Sequence, residues 1–148
     1  MKSRRVGSRL GVSAWLALSL VAGCAVQLIA PYDQRIDDGV SSLQRSTTQF
    51  LTGIERQGGS QPADYPGHTR FYDDAKVAVS GLAVRAGAVG ANTLTVQQLD
   101  ILGRQFTELE TQDRTLGIPA AAVPQLQRAF DRTFGAILAL EVAKKGAK

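Results

Sequence analysis

Thr95–Leu116 reads TVQQLDILGRQFTELETQDRTL, and the placing of its apolar residues decides the fold class. Val96, Leu99, Leu102, Phe106, Leu109 and Leu116 recur at intervals of three, four and seven, which puts them on one face of an α-helix. A half-buried strand would alternate every second residue, and this stretch does not. Thr95 followed three residues later by Gln98 has the form of a capping box, so Thr95 is the expected N-cap. Gly117-Ile118-Pro119 is the expected stop. Opposite charges at i,i+4, Asp100/Arg104 and Glu110/Arg114, are expected along the outer face, each pair contributing about 0.2–0.5 kcal/mol.

Three further stretches show the same period. The first runs from about Tyr32 to Gln57, with Ile36, Val40, Leu43, Thr47, Phe50 and Ile54 on one stripe. Asp33, Asp37 and Asp38 stand near its start, where the helix dipole favours acids, and Gly58-Gly59 ends it. The second runs from about Thr69 to Val89, with Tyr72, Ala75, Val79, Leu82, Ala86 and Val89 in register. Before it lies GGSQPADYPGH (58–68), a loop by its composition, and Gly90-Ala91-Asn92 closes it. The last spans about Ala121 to Lys145, with Pro124 in its first turn and Leu126, Phe130, Phe134, Ile137 and Leu140 inside. Residues 32–145 therefore predict one all-α domain, an antiparallel up-down-up-down four-helix bundle, with 146–148 as a tail. The other assembly open to these stripes is a three-helix core with helix one left exposed for a partner.

Few residues suit catalysis. His68 is the single histidine and falls in a Pro/Gly-rich segment, where a solvated ring is expected. Asp64, Asp73 and Asp74 are its acidic neighbours, too few and too local to predict a metal site. There is no Cys-x-x-Cys-His and no phosphate-binding glycine loop, so no cofactor is implied. Asp37/Asp38 and Glu108/Glu110 are one and two residues apart, which on a helix points them away from each other. A non-enzymatic protein is expected.

Each predicted helix contains a glycine, Gly53, Gly81, Gly103 and Gly135, at a cost of about 0.8–1 kcal/mol relative to alanine. Gly81, Gly103 and Gly135 fall at similar depth in the antiparallel arrangement, which predicts either close helix approach or a narrow mid-bundle cleft. Tyr65, Phe71 and Tyr72 cluster at a loop-to-helix junction, as a lid over the bundle end or as a partner-docking patch.

The first 24 residues concern destination. Lys2, Arg4, Arg5 and Arg9 form a positive segment, and Leu10–Val21 an apolar run too short to span as a helix, the layout of a secretory signal peptide. Val21-Ala22-Gly23-Cys24 follows and contains the only cysteine, which cannot make an internal disulfide. This segment resembles the lipobox of bacterial lipoproteins. The resemblance implies cleavage between Gly23 and Cys24 and acylation of Cys24. Residues 1–23 are then the signal and 24–31 a lipidated tether. Ala25, not Asp, follows the cysteine, which by the same resemblance implies the outer membrane, on its periplasmic face. Two or three acyl chains anchor a protein stably, where one is marginal.

Removing residues 1–23 removes four bases and no acid. The chain has 17 Lys and Arg against 13 Asp and Glu, so 17 − 4 = 13 bases remain and the formal charge is zero. The basic pI near 9.6 comes from the signal and does not argue for nucleic acid. Lys144, Lys145 and Lys148 read as a cationic C-terminal fray that complements the helix dipole. Ala25–Pro31, seven residues, reach about 25 Å at most and hold helix one near the bilayer. These features predict an envelope lipoprotein acting as an interaction or assembly module with an envelope protein partner. The alternative is a lipid or small apolar ligand binder, and a toxin-neutralising or exclusion lipoprotein is a subclass of the first reading.

Overall fold

Ile36, Val40, Leu43, Leu51 and Ile54 are all buried, and the helix that carries them, α1 (Gln34–Arg56), packs mainly on α4 (Val123–Gly146) and also on α2 (Tyr65–Gly87). Its stripe is fully used, which rules out the three-helix core with helix one left exposed. The fourth helix, α3 (Thr93–Leu116), packs against α2 and α4. The computed structural model describes residues 29–147, and these form an antiparallel four-helix bundle, with no strand among the described residues. The expected signal peptide, with Gly23 and Cys24, and the expected tether up to residue 28 lie outside them, as does Lys148.

Two poles follow from the up-and-down course. The near pole gathers the start of α1, the turn between α2 and α3, and the end of α4. Opposite it, the far pole gathers the α1–α2 and α3–α4 connections, each containing a short 3₁₀ turn, Pro62–Asp64 and Ala120–Ala122. Between the poles, Phe106, Phe130 and Phe134 form a continuous aromatic seam, with ring centroids 4.9 and 6.1 Å apart.

Several boundaries differ from the sequence reading, each for a local reason. Helix α2 starts at Tyr65, four residues early, because Pro66 occupies the first turn, where its missing N–H costs nothing. His68 is therefore helical. Helix α3 starts at Thr93, and Thr95 is not its cap: the buried Thr95 hydroxyl is drawn to α4 instead. Leu116 is 77 % exposed, and Asp113 takes the inner position near the end of α3. The packed body begins at Ala30, which is buried, so the expected tether is shorter by two residues. Asp33 caps α1 as its position suggests, accepting from the Arg35 amide at 2.9 Å.

Backbone crosses backbone at the far pole. Gly59 and Pro119 form an isolated antiparallel bridge, and the Ser60 amide donates to the Ile118 carbonyl at 2.8 Å. Gly59 (φ 108°) and Gly117 (φ 76°) hold left-handed conformations there. A Cβ on Gly59 would lie 2.9 Å from the Ile118 carbonyl oxygen, and one on Gly117 would collide with the Ser60 carbonyl. Glycine is required at both positions by conformation and by space.

Candidate functional site

The chemistry-bearing side chains collect at the two poles. At the far pole Asp113, fully buried on α3, is the hub. Its Oδ1 accepts from the Ser60 hydroxyl at 2.6 Å. Its Oδ2 lies 3.0 Å from the Tyr72 hydroxyl, which donates, and 2.7 Å from His68 Nδ1. Ser60 Oγ in turn accepts from the Ile118 amide at 2.9 Å. One carboxylate thus ties α3 to α2 and to both connections. Burial, and then the Asp113 charge, push the Tyr72 hydroxyl far above its ordinary value, so it stays protonated as a donor.

Asp113 and His68 resemble the orienting half of a nucleophilic triad, in which a carboxylate holds one imidazole nitrogen. The other half is not assembled. Ser60 gives its proton to Asp113 and not to His68, and it is buried. The expected solvated loop histidine is instead a largely buried helix residue, 16 % exposed, with Phe50 set edge-on at 5.2 Å. Among the described residues no group of three His, Cys, Asp or Glu side chains is placed to hold a metal.

The expected docking cluster is part of this pole's packing. Tyr72 is fully buried, and Phe71 stacks on Phe50 with centroids 3.9 Å apart. Tyr65 is half-buried and donates to Glu110 at 2.9 Å. The three face the core as a lid and do not project as a docking patch, because α2 begins early enough to turn them inward. Glu110, expected to pair with Arg114 along α3, faces α2 and meets Lys76 at 2.9 Å. Burial raises its carboxyl, but the Lys76 and Tyr65 hydrogen bonds outweigh that and hold it below the ordinary range.

The near pole is built around a cation. Lys144, 6 % exposed, directs its ammonium at Asn92 Oδ1 (2.6 Å), at Thr95 Oγ1 (3.0 Å) and at Glu141 Oε1. Those three acceptors satisfy its three donors. Glu141, fully buried, also accepts from the Thr95 hydroxyl at 3.3 Å and, through Oε2, from the Asp33 amide at 3.2 Å. Asn92 donates to the Ala86 carbonyl at 3.0 Å, which closes the turn containing Ala91 in its left-handed conformation (φ 61°). Outside this plug, Arg85 Nε sits 2.6 Å from Asp33 Oδ2. Burial raises the Asp33 carboxyl, and the Arg85 guanidinium and Arg35 amide more than reverse it. Lys145 lies over the Tyr32 ring at 4.1 Å and 3.4 Å from Asp37. Lys144 and Lys145 are thus fastened to the bundle and do not form the expected cationic fray.

The glycines form no cleft. Gly81 and Gly135 are exposed, and a Cβ on either would meet nothing within 4 Å. Gly103 alone approaches a neighbour, Val79 at 3.5 Å, in a shallow groove between α2 and α3. Equal depth along the axis did not bring them together, because Gly81 and Gly135 point outward on their helices. The close approach between helices is at Gly39, where a Cβ would lie 2.7 Å from Leu82 Cδ2.

A small apolar cavity of about 190 Å³ opens at the near pole, lined by Ile29, Leu94, Leu140 and Ala143, with Thr95 and Lys144 behind them. Its position and size went unseen in the sequence. No known protein family, curated protein or solved structure matches this chain.

Proposed function

We propose that this protein is a lipid-anchored envelope protein, held through acylated Cys24 on the periplasmic face of the outer membrane, where its bundle serves as a non-enzymatic interaction module. The observation that carries the reading is the order of features before the bundle: a positive segment, a short apolar run, Val-Ala-Gly-Cys, and five residues later Ile29 at the near pole. The polar plugs add support, since their side chains are committed to holding helices together. For an envelope protein partner, the outward face of α2 offers Val77 and Val84, 73 % and 72 % exposed and seven residues apart. No helix among the described residues is long and apolar enough to cross a membrane.

The near-pole cavity favours a second reading as a binder of small apolar ligands, but about 190 Å³ is below the roughly 300–1,000 Å³ of ordinary ligand pockets. Detergent extraction and capture through a C-terminal tag test the main reading, with Cys24→Ser as the control. The expected result is acyl mass on Cys24, retention in the membrane fraction, and recovery of one stoichiometric envelope protein that Val84→Asp abolishes. A freely soluble product with an unmodified sulfur overturns it.

A further inference from the structure

The near pole combines three features. Ile29 and Leu94, 52 % and 62 % exposed, stand at the mouth of the apolar cavity, and Val142, 60 % exposed, is on the adjoining last turn of α4. Large side chains left open to water at one end of a bundle are unfavourable unless something covers them. The pole's cations Arg85, Lys144 and Lys145 each meet a carboxylate, those of Asp33, Glu141 and Asp37. Arg35 and Asp38, exposed on the first two turns of α1, carry opposite charges, so the charges of this pole balance among the described residues and no large electrostatic attraction to acidic headgroups is built into it. Finally, Ile29 follows Cys24 by five residues, a span of about 18 Å at most.

We propose that the near pole docks directly on the bilayer, with Ile29 and Leu94 inserted at the lipid interface and a phospholipid acyl segment covering the cavity between them. The proposal rests on the acylated-Cys24 reading, and it goes further: the bundle stands pole-down on the membrane and does not swing free on its anchor. Apolar insertion drives the contact, so zwitterionic phosphatidylcholine suffices and added salt does not release it. The axis of the bundle then stands upright from the bilayer surface, which places the far pole about 33 Å away, the rise along α3 from Leu94 to Leu116 at about 1.5 Å per residue.

The test uses the full chain, matured in cells and reconstituted into phosphatidylcholine vesicles containing brominated acyl chains. A single environment-sensitive fluorophore is attached through Leu94→Cys or, at the far pole, Leu116→Cys. Acylation of Cys24 leaves the introduced thiol as the one free to react. The expected result is blue-shifted emission and at least fivefold stronger bromine quenching at position 94 than at 116, unchanged in high salt. Ile29→Asp should lower the quenching at 94 at least twofold with helicity retained. Equal, weak quenching at both positions, with acyl mass confirmed on Cys24, overturns the docked pole and leaves the anchor standing. An unmodified Cys24 overturns the anchor and this proposal together.

Discussion

At the far pole the central group is an acceptor, the Asp113 carboxylate, and the groups around it donate; at the near pole the central group is a donor, the Lys144 ammonium, and the groups around it accept. Both plugs hold a turn against helices that are distant in sequence. They differ in where the central group finds its partners. Lys144 has its counter-ion three residues back on the same helix, so the near plug includes its own neutralising partner. Asp113 draws its partners from Ser60, His68 and Tyr72, all more than forty residues away, so its hydrogen bonds exist only in the assembled fold. An interior ion is a weak source of net stability, but losing one member of its set is costly, and that asymmetry is what the two ends can be tested against.

Asp113→Ala should be the most damaging single change, at about 3–5 kcal/mol, because it leaves two buried hydroxyls and a histidine without their acceptor. Urea denaturation followed by circular dichroism measures it, and a loss below about 1 kcal/mol would mean water replaces the carboxylate. Lys144→Ala should cost about 3 kcal/mol by stranding Glu141, and Lys144→Met combined with Glu141→Leu should recover at least half of that. No comparable pair repairs the far pole, since its partners lie on separate segments. If the double variant recovers nothing, the difference drawn between the poles is wrong.

Titration gives the next comparison. The Tyr72 pKa is raised in the folded protein by burial and by Asp113, so its contribution is intact below the unfolded value of about 10 and is lost as pH climbs beyond it. The melting temperature should fall above pH 10, and Tyr72→Phe should flatten that fall while costing about 0.5–1.5 kcal/mol at neutral pH. Equal alkaline limbs in the two proteins would place the sensitivity elsewhere. The smallest expected effects are gains: Gly81→Ala and Gly135→Ala should each stabilise by about 0.8–1 kcal/mol, since neither glycine has a neighbour to displace. Loss of membrane association or partner capture in these variants, with stability raised, would give those exposed positions a contact of their own.

How much of this was legible in the sequence depends on the residue type. Four helices, their order and most of the core followed from apolar spacing, because burial of one stripe per helix leaves a periodic trace. The plugs leave the same trace in residues that spacing arguments set aside. Asp113 falls four beyond Leu109; Glu141 and Lys144 fall four and seven beyond Ile137; His68 falls four before Tyr72; Thr95 falls four before Leu99. Each continues its helix's inner stripe toward a pole, so extending the stripe through charged residues would have found them. The misplaced N-cap has the same origin, since Thr95 is one of these inward members. What spacing could not supply is the partner of each group, which depends on two connections meeting in space. Nor could it separate the angular position of Gly81 and Gly135 from their depth.

The first turn of α1 carries a mechanical consequence. If Cys24 is anchored as proposed, tension arriving along the chain enters at Ala30 and meets Asp33, which is held by Arg85 on α2 and, through its amide, by Glu141 on α4. One turn on, Asp37 is gripped by Lys145 and Tyr32. A tug on such a leash would be shared among three helices within the first turn or so, since the entry point of the load is itself cross-fastened to α2 and α4.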